Sequence, residues 1–165
     1  LSIRRQRQMC IRDRPRPRVA LGLALKGIAS AAIDVSDGLL ADLGHIAERS
    51  GCAAALQLVK LPQLRDLAGS GASYNADLRR MALDCQLAGG DDYELCFTAP
   101  SDQHLAIRRI AAELELPLWC IGEMVENSVA NPTANQDESP AGKVTVFDPE
   151  GQPIQFDHKG FDHFA

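Results

Sequence analysis

Along the chain, segments with the helical spacing of apolar positions alternate with short apolar runs typical of strands. This alternation predicts a succession of helices and strands. Helix-type spacing marks four segments, and short apolar runs bounded by glycine or proline mark the strands between them. The predicted helices span 17–29, 39–49, 77–87 and 102–116. The predicted strands span 31–35, 52–59, 93–98 and 118–125, with a terminal hairpin of 143–147 and 154–156, while 62–75 and 127–142 are predicted loops. Such alternation is typical of an α/β or α+β layered domain.

One junction in this pattern, at residues 31–40, carries candidate chemistry. A short apolar strand runs into Asp34, Ser36 and Asp37, and a helix begins directly afterwards, near Gly38. Ligands of α/β folds bind at the carboxyl ends of strands. Carboxylates there suit Mg²⁺, which binds through one or two carboxylates plus substrate phosphates. The junction therefore predicts a metal–phosphate site, whereas an N-cap formed by Ser36 or Asp37 accounts for only one of the three side chains.

A second polar cluster, Gly89-Gly90-Asp91-Asp92-Tyr93, lies just before the strand predicted at 93–98. Paired glycines let a backbone approach a ligand closely or adopt positive φ. Taken alone, however, the cluster favours a simple turn into a half-buried strand, because aspartate is common in turns.

The end of the chain, 158–164, concentrates aromatic and histidine residues. Termini are usually poorly ordered, so we expect an aromatic terminus to be docked on the domain. Phe161 has two open interpretations: it stacks on a planar ligand ring, or it is buried in the core.

Charge is distributed unevenly, which narrows the possible partners. Residues 1–18 carry seven arginines and one aspartate, a balance of +6, while the remainder carries ten basic and twenty-one acidic residues, a balance of −11. An acidic body is a poor surface for nucleic acid, because phosphate contacts need clustered positive charge. The same acidity is compatible with recruitment of divalent cations.

The basic start does not join the periodic pattern that follows it. The chain begins with Leu rather than Met, and the run 7–14 resembles translated adapter sequence. We therefore expect residues 1–14 to be a non-native tail and 15–165 to form the domain.

The remaining composition indicates a protein of the cytoplasm. The five cysteines are odd in number and widely spaced, as expected of reduced thiols. No apolar run reaches the ~20 residues of a membrane span.

His45 falls off the centre of the apolar stripe of its helix, so we expect it on the helix surface.

Taken together, these segments resemble the thiamine-monophosphate kinase family in its C-terminal domain. The resemblance extends over 15–165. It depends on three segments in this order: Ile33-Asp34-Val35-Ser36-Asp37-Gly38-Leu39 with Asp42-Leu43-Gly44-His45-Ile46 behind it, Gly89-Gly90-Asp91-Asp92-Tyr93-Glu94-Leu95-Cys96-Phe97-Thr98, and Lys159-Gly160-Phe161-Asp162-His163-Phe164.

The resemblance implies a fold, a reaction and a set of roles. The fold would be that of aminoimidazole ribonucleotide synthetase-like C-terminal domains, a mixed sheet with helices packed on it. The reaction would be direct transfer of the γ-phosphoryl group of ATP to thiamine monophosphate, giving thiamine diphosphate. Asp34 and Asp37 would hold Mg²⁺, Ser36 would contact the ATP phosphates, Asp92 would bind the thiamine portion, and Phe161 would pack against its ring.

The resemblance also implies that part of the enzyme is absent from this chain. In the family, an N-terminal domain supplies most metal-binding carboxylates and the interface of a homodimer. We therefore expect this chain to be inactive alone, with the helix at 19–28 and the rim at 34–37 exposed. Two departures from the family pattern, Asp91 in place of glutamate and Phe161 in place of tyrosine, affect the substrate contacts. The alternatives are another ATP-dependent synthetase of the superfamily, such as selenophosphate synthetase, and a non-catalytic module that binds a phosphate ligand.

Overall fold

The computed structural model describes residues 16–62, 76–90, 92–126, 141–154 and 156. The helices are α1 (Val19–Ala24), α2 (Leu39–Arg49), α3 (Ala76–Ala88) and α4 (His104–Glu113), with short 3₁₀ turns at Leu58–Lys60 and Ser101–Gln103. The strands are β1 (Ala31–Asp34), β2 (Ala53–Gln57), β3 (Leu95–Thr98), β4 (Gly122–Val125), β5 (Val144–Phe147) and β6 (Pro153–Ile154).

The described strands form two sheets. In the larger, with strand order β4-β2-β5-β6, β2 pairs antiparallel with β4 and parallel with β5, and β5 pairs antiparallel with β6. The smaller is an antiparallel ribbon of β1 and β3, in which Ala31 lies opposite Thr98 and Asp34 opposite Leu95. The predicted mixed sheet with packed helices is confirmed, and the strand that carries the acidic motif lies in the separate ribbon.

Helix α2 packs between the two sheets and forms the main core. Its buried residues Leu43 and Ile46 recur at helical spacing, so they contact the larger sheet from one side of the helix. Across from them lie Leu56 and Val146 of that sheet. The ribbon turns one face toward the same core, through Ile33 and Cys96.

A second core lies on the opposite face of the ribbon. It is formed by Leu21 and Leu25 at α1 and by Ile110 of α4, with Leu95 and Phe97 of β3 packed against them. The ribbon is therefore held from both sides, although it has only two strands. An isolated two-stranded ribbon is marginally stable in water, so this double packing is what fixes it.

Several elements are shorter than predicted, and the backbone shows why. The first helix ends at Ala24 and is followed by a turn in which Gly27 has φ +79°. Strand β3 begins at Leu95 rather than residue 93, because Tyr93 has φ +51° and cannot be extended.

Three other predicted bounds were too wide for similar local reasons. Strand β2 ends at Gln57, where the chain turns into a 3₁₀ segment, and only 122–125 of the predicted 118–125 forms a strand. Helix α4 begins at His104, after a 3₁₀ turn. The hairpin is confirmed as an antiparallel pair of β5 and β6. Most of both predicted loops, the tail 1–14 and the aromatic end 158–164 lie outside the described residues.

The end of α3 lies against the start of α2. A Cβ atom added to Gly38 would come within 2.9 Å of the backbone carbonyl carbon of Ala88. Gly38 also has φ 116° and ψ 149°, a conformation that residues with a side chain rarely adopt. Glycine is therefore required at this position for two independent reasons.

We expect Gly38→Ala to lower the free energy of unfolding by about 3 kcal/mol, since it adds backbone strain and a steric clash. Urea denaturation followed by circular dichroism measures the change. Gly51→Ala is the matched control, because Gly51 has φ +65° but nothing within 4 Å of its would-be Cβ. It should lose only about 1 kcal/mol, from the backbone alone. Equal losses in the two variants would contradict the close approach of Ala88.

The packing of Cys96 predicts a dependence of stability on pH. Burial in the core and, to a smaller extent, the negative charge of Asp42 raise the pKa of Cys96 from 9.0 to about 11. The unfolded chain releases this proton at lower pH than the folded chain does. The stabilisation is therefore complete below pH 9 and is lost as the pH rises toward 11.

The expected loss is about 2 kcal/mol across that window, measured as the unfolding free energy in urea at several pH values. Other groups titrate in the same range, so the quantity compared is the difference between the wild-type chain and Cys96→Ala. Cys85→Ala, at an exposed thiol, should keep the wild-type slope. If the unfolding free energy of Cys96→Ala falls with pH as steeply as that of the wild-type chain, this thiol is not the cause of the pH dependence.

Candidate functional site

The ribbon continues past the formal end of β1 and joins the two acidic motifs. The Val35 N–H donates to the carbonyl of Glu94 at 2.8 Å, and the Tyr93 N–H donates to the carbonyl of Val35 at 2.8 Å. Val35 is itself buried. Because the pairing is antiparallel, the carboxyl end of β1 meets the amino end of β3, so the loop at 35–38 runs beside the segment at 90–93.

Gly90 makes this proximity possible. A Cβ atom at Gly90 would lie 2.5 Å from the carbonyl oxygen of Ser36, closer than any side chain allows. What Gly90 approaches closely here is another part of the chain, at Ser36, whereas the sequence pattern suggested a ligand or a turn. Asp92 lies between Gly90 and Tyr93 and is exposed, while Asp91 is outside the described residues.

A buried carboxylate, that of Asp42, binds the backbone of the loop at 35–38. Asp42, in the first turn of α2, is only 3% exposed. Its Oδ2 atom accepts hydrogen bonds from the N–H groups of Ser36, at 2.9 Å, and Asp37, at 3.1 Å. An acid near a helix N-terminus also interacts favourably with the helix dipole.

Asp42 had no predicted role beyond its place in the segment 42–46, although the apolar pattern contains a signal for one. Asp42 follows Leu39 by three positions and precedes Ile46 by four, which places it on the buried side of the helix. A charged residue on a core-facing stripe needs a polar partner. The alternative of an N-cap by Ser36 or Asp37 is not what forms: the N-cap is Gly38, without a side-chain cap hydrogen bond.

The loop presents its own oxygens at the surface. Asp34 is exposed, whereas Ser36 and Asp37 are half-buried. The Ser36 Oγ donates to the Asp37 Oδ1 at 3.3 Å. Asp34, Ser36 and Asp37 thus lie within one strand end and one short loop, alongside the segment that carries Asp92. Phe161 lies outside the described residues, and His45 is exposed on α2, as predicted.

The donor set suits a hard cation but does not complete a site. Among the described residues, no group of three or more His, Cys, Asp or Glu side chains could hold a metal ion. Mg²⁺ commonly takes only one or two protein carboxylates and fills its remaining positions with water and phosphate oxygens. Asp34 and Asp37 fit that requirement as a partial set.

The electrostatics of the loop disfavour bare phosphate. The N–H groups of Ser36 and Asp37, which could otherwise bind an anion, are occupied by Asp42. A nearby cation, Arg18, is engaged by Glu94 in a two-point ion pair with N–O distances of 2.7 and 2.5 Å. That contact raises the pKa of Arg18, because the carboxylate stabilises the guanidinium charge. A phosphate approaching this loop therefore needs a cation between it and the carboxylates.

The described part of the chain contains no helix with the length and hydrophobicity needed to cross a bilayer.

Comparison with known proteins places these features in a family. Residues 2–133 match the family described as AIR synthase related protein, C-terminal domain. The chain is 41% identical over 152 residues to thiamine-monophosphate kinase of Salmonella typhimurium, and 41% identical over 152 residues to that of Haemophilus influenzae. The first match covers 92% of this chain and 41% of the Salmonella protein.

Solved structures show the same relationship. A thiamine-monophosphate kinase from Stenotrophomonas maltophilia K279a matches with a TM-score of 0.61 and 52% identity, covering 70% of this chain and 35% of that one. AaThiL complexed with AMPPCP and TMP matches with a TM-score of 0.60 and 27% identity, covering 94% of this chain and 40% of that one. The chain thus spans about two-fifths of the length of these relatives. It belongs to the family of AIR synthase related proteins and corresponds to their C-terminal domain.

Proposed function

We propose that this chain is the C-terminal part of a thiamine-monophosphate kinase, which transfers the γ-phosphoryl group of ATP to thiamine monophosphate and releases thiamine diphosphate. The observation that carries the proposal is the pairing of the acidic loop at 35–38 with the segment at 90–93, which puts two sets of candidate ligands at one edge of the ribbon. The relatives named above and the complex of AaThiL with AMPPCP and TMP support the same reaction.

The end of β1 and the acidic loop after it would bind the nucleotide. Asp34 and Asp37 would hold Mg²⁺, and Ser36 would contact the ATP phosphates. Phosphoryl transfer depends mainly on positioning and on stabilising charge at phosphate oxygens, and bound Mg²⁺ supplies that charge. The chain's own contribution is to keep one carboxylate at the end of β1, and a second carboxylate and a hydroxyl on the loop after it, which the ribbon and α2 hold in place.

The segment at 90–93 would bind the phosphoryl acceptor, thiamine monophosphate. Exposed Asp92 would bind the cationic thiamine portion, and Phe161 would pack against its ring. Chain length permits this second role. Phe156 lies against Arg80, 5.2 Å from the guanidinium carbon to the ring centroid. Helix α3 rises roughly 12 Å from Arg80 to its last residue, Ala88, and the five residues from Phe156 to Phe161 span up to about 17 Å when extended.

The rest of the enzyme would come from another part of a longer protein. On α1, Val19 and Leu23 are 63% and 71% exposed, one helical turn apart, so they form an apolar face on which a neighbouring domain could pack. We propose that such a domain completes the metal site and forms a homodimer, and that the enzyme works in the cytoplasm. This chain alone is then expected to turn over no substrate.

A chimera tests the proposal directly. The segment of the Stenotrophomonas maltophilia kinase that corresponds to this chain is replaced by the chain itself, a substitution that 52% identity makes practical. We expect the chimera to form thiamine diphosphate from thiamine monophosphate and Mg·ATP, detected by chromatography with fluorescence. Neither this chain alone nor the truncated kinase alone should do so. A chimera that folds and phosphorylates another acceptor while ignoring thiamine monophosphate would disprove the substrate assignment.

Within that chimera, Asp34→Asn and Asp37→Asn should each lower kcat by about a hundredfold or more, because each removes a carboxylate from the cation. Asp148→Asn is the matched control, since Asp148 is a surface carboxylate in the β5–β6 turn of the other sheet. It should leave kcat unchanged. Near-wild-type rates in both site variants would mean that these carboxylates do not hold the metal.

A further inference from the structure

Asp42 is the only acidic side chain that is buried among the described residues, and the proposed function gives it no direct contact with a ligand. Its two hydrogen bonds go to consecutive peptide N–H groups of the loop, through a single oxygen atom. A buried carboxylate is costly unless its charge is compensated. The compensation here comes from the loop it holds, so the carboxylate and the loop conformation depend on each other.

The two peptide groups that Asp42 holds are those of Ser36 and Asp37. Fixing these peptide planes fixes the directions in which the Ser36 hydroxyl and the Asp37 carboxylate leave the backbone. The Gly90 backbone also lies close to the loop, because a Cβ atom added to Gly90 would lie 2.5 Å from the Ser36 carbonyl oxygen. The loop is thus packed against Gly90, and Asp42 restrains it through hydrogen bonds.

We propose that Asp42 is a positioning residue: its carboxylate presets the Ser36–Asp37 loop in the conformation that receives a cation-bound phosphate. This inference rests on the proposed function and deepens it, because it assigns a role to a group that touches neither metal nor substrate. The preset loop lowers the ordering cost of binding. Asp42 also adds negative charge near the site, so the test has to separate geometry from charge.

Two substitutions make that separation. Asp42→Asn keeps the shape and an acceptor oxygen for the loop but removes the charge, whereas Asp42→Ala removes both. Asp148→Ala is the matched control, because the Asp148 Oδ1 also accepts a backbone N–H, from Gln152 at 2.7 Å, in a turn of the other sheet. All variants are made in this chain and compared with wild type.

The first measurement is amide hydrogen exchange by NMR. In Asp42→Ala we expect the Ser36 and Asp37 amides to exchange at least about tenfold faster, since each loses its acceptor. The Ala54 amide, which donates to the carbonyl of Lys143 in the larger sheet, reports global opening and should change much less. Asp42→Asn keeps a neutral acceptor, so its loop amides should exchange no more than about fivefold faster than in wild type, and Asp148→Ala should leave both loop amides unchanged.

The second measurement is binding of Mn²⁺ alone, followed through paramagnetic broadening of the amides of Asp34, Ser36 and Asp37. If geometry dominates, Asp42→Asn should bind Mn²⁺ within about threefold of the wild-type affinity and Asp42→Ala at least about tenfold more weakly. Equal weakening in both variants would show that Asp42 acts only through its charge, and would overturn the positioning role.

The outcomes distinguish this inference from the proposed function. Unchanged exchange at Ser36 and Asp37 in Asp42→Ala would overturn the positioning role even if Mn²⁺ binds normally. A wild-type chain whose loop amides are not broadened by Mn²⁺ would count against the metal assignment of Asp34 and Asp37, and the exchange data would then decide the role of Asp42. If Asp42→Ala does not fold, the Asn variant still decides: tenfold faster loop exchange in it would contradict retention of the geometry.

Discussion

The antiparallel pairing of β1 with β3 is the constraint on which the rest of this structure depends. It brings together two segments that lie more than fifty residues apart, and it continues beyond the formal strand end through the hydrogen bonds of Val35 with Tyr93 and Glu94. A two-stranded ribbon would not hold this register alone. It does so here because one of its faces packs on the α2 core and the other packs on Leu21, Leu25 and Ile110.

This arrangement explains where the polar groups lie. The ribbon ends at the surface, so Asp34 is exposed and Asp37 is half-buried, whereas Asp42 is the one buried acid among the residues that the structure describes. Hydrogen bonds to a charged group contribute more than neutral ones, and leaving a buried charge unpaired costs several kcal/mol. The acids of this region therefore differ in role: Asp34 and Asp37 lie at or near the surface, where a ligand could reach them, and buried Asp42 is hydrogen-bonded to the backbone.

Much of this was predictable from sequence, for identifiable reasons. The period of Leu43 and Ile46 defined α2, and the residues 34–37 marked a polar junction after an apolar strand. The expected ligand at the carboxyl end of this strand stays a prediction, and its premise differs, since β1 lies in an antiparallel ribbon rather than a parallel sheet. Strand partners separated by sixty residues leave no local signal in one sequence. The left-handed backbone of Tyr93 and the contact of Gly90 with Ser36 also depend on tertiary structure. The sequence alone therefore could not distinguish a glycine pair that permits this contact from one that forms a simple turn.

The charge of the loop suggests what this domain can and cannot do without a partner. Asp34, Asp37 and Asp42 together repel phosphate, and the loop N–H groups that could bind it are already occupied by Asp42. A glycine-rich phosphate loop works in the opposite way, because its backbone N–H groups stay available to the anion. A phosphate ligand would therefore have to arrive with a bound cation, which exposed Asp34 and half-buried Asp37 could share. Additional ligands from a neighbouring domain would strengthen cation binding without any change in the loop. The exposed apolar face of α1, at Val19 and Leu23, is a surface on which such a domain could pack.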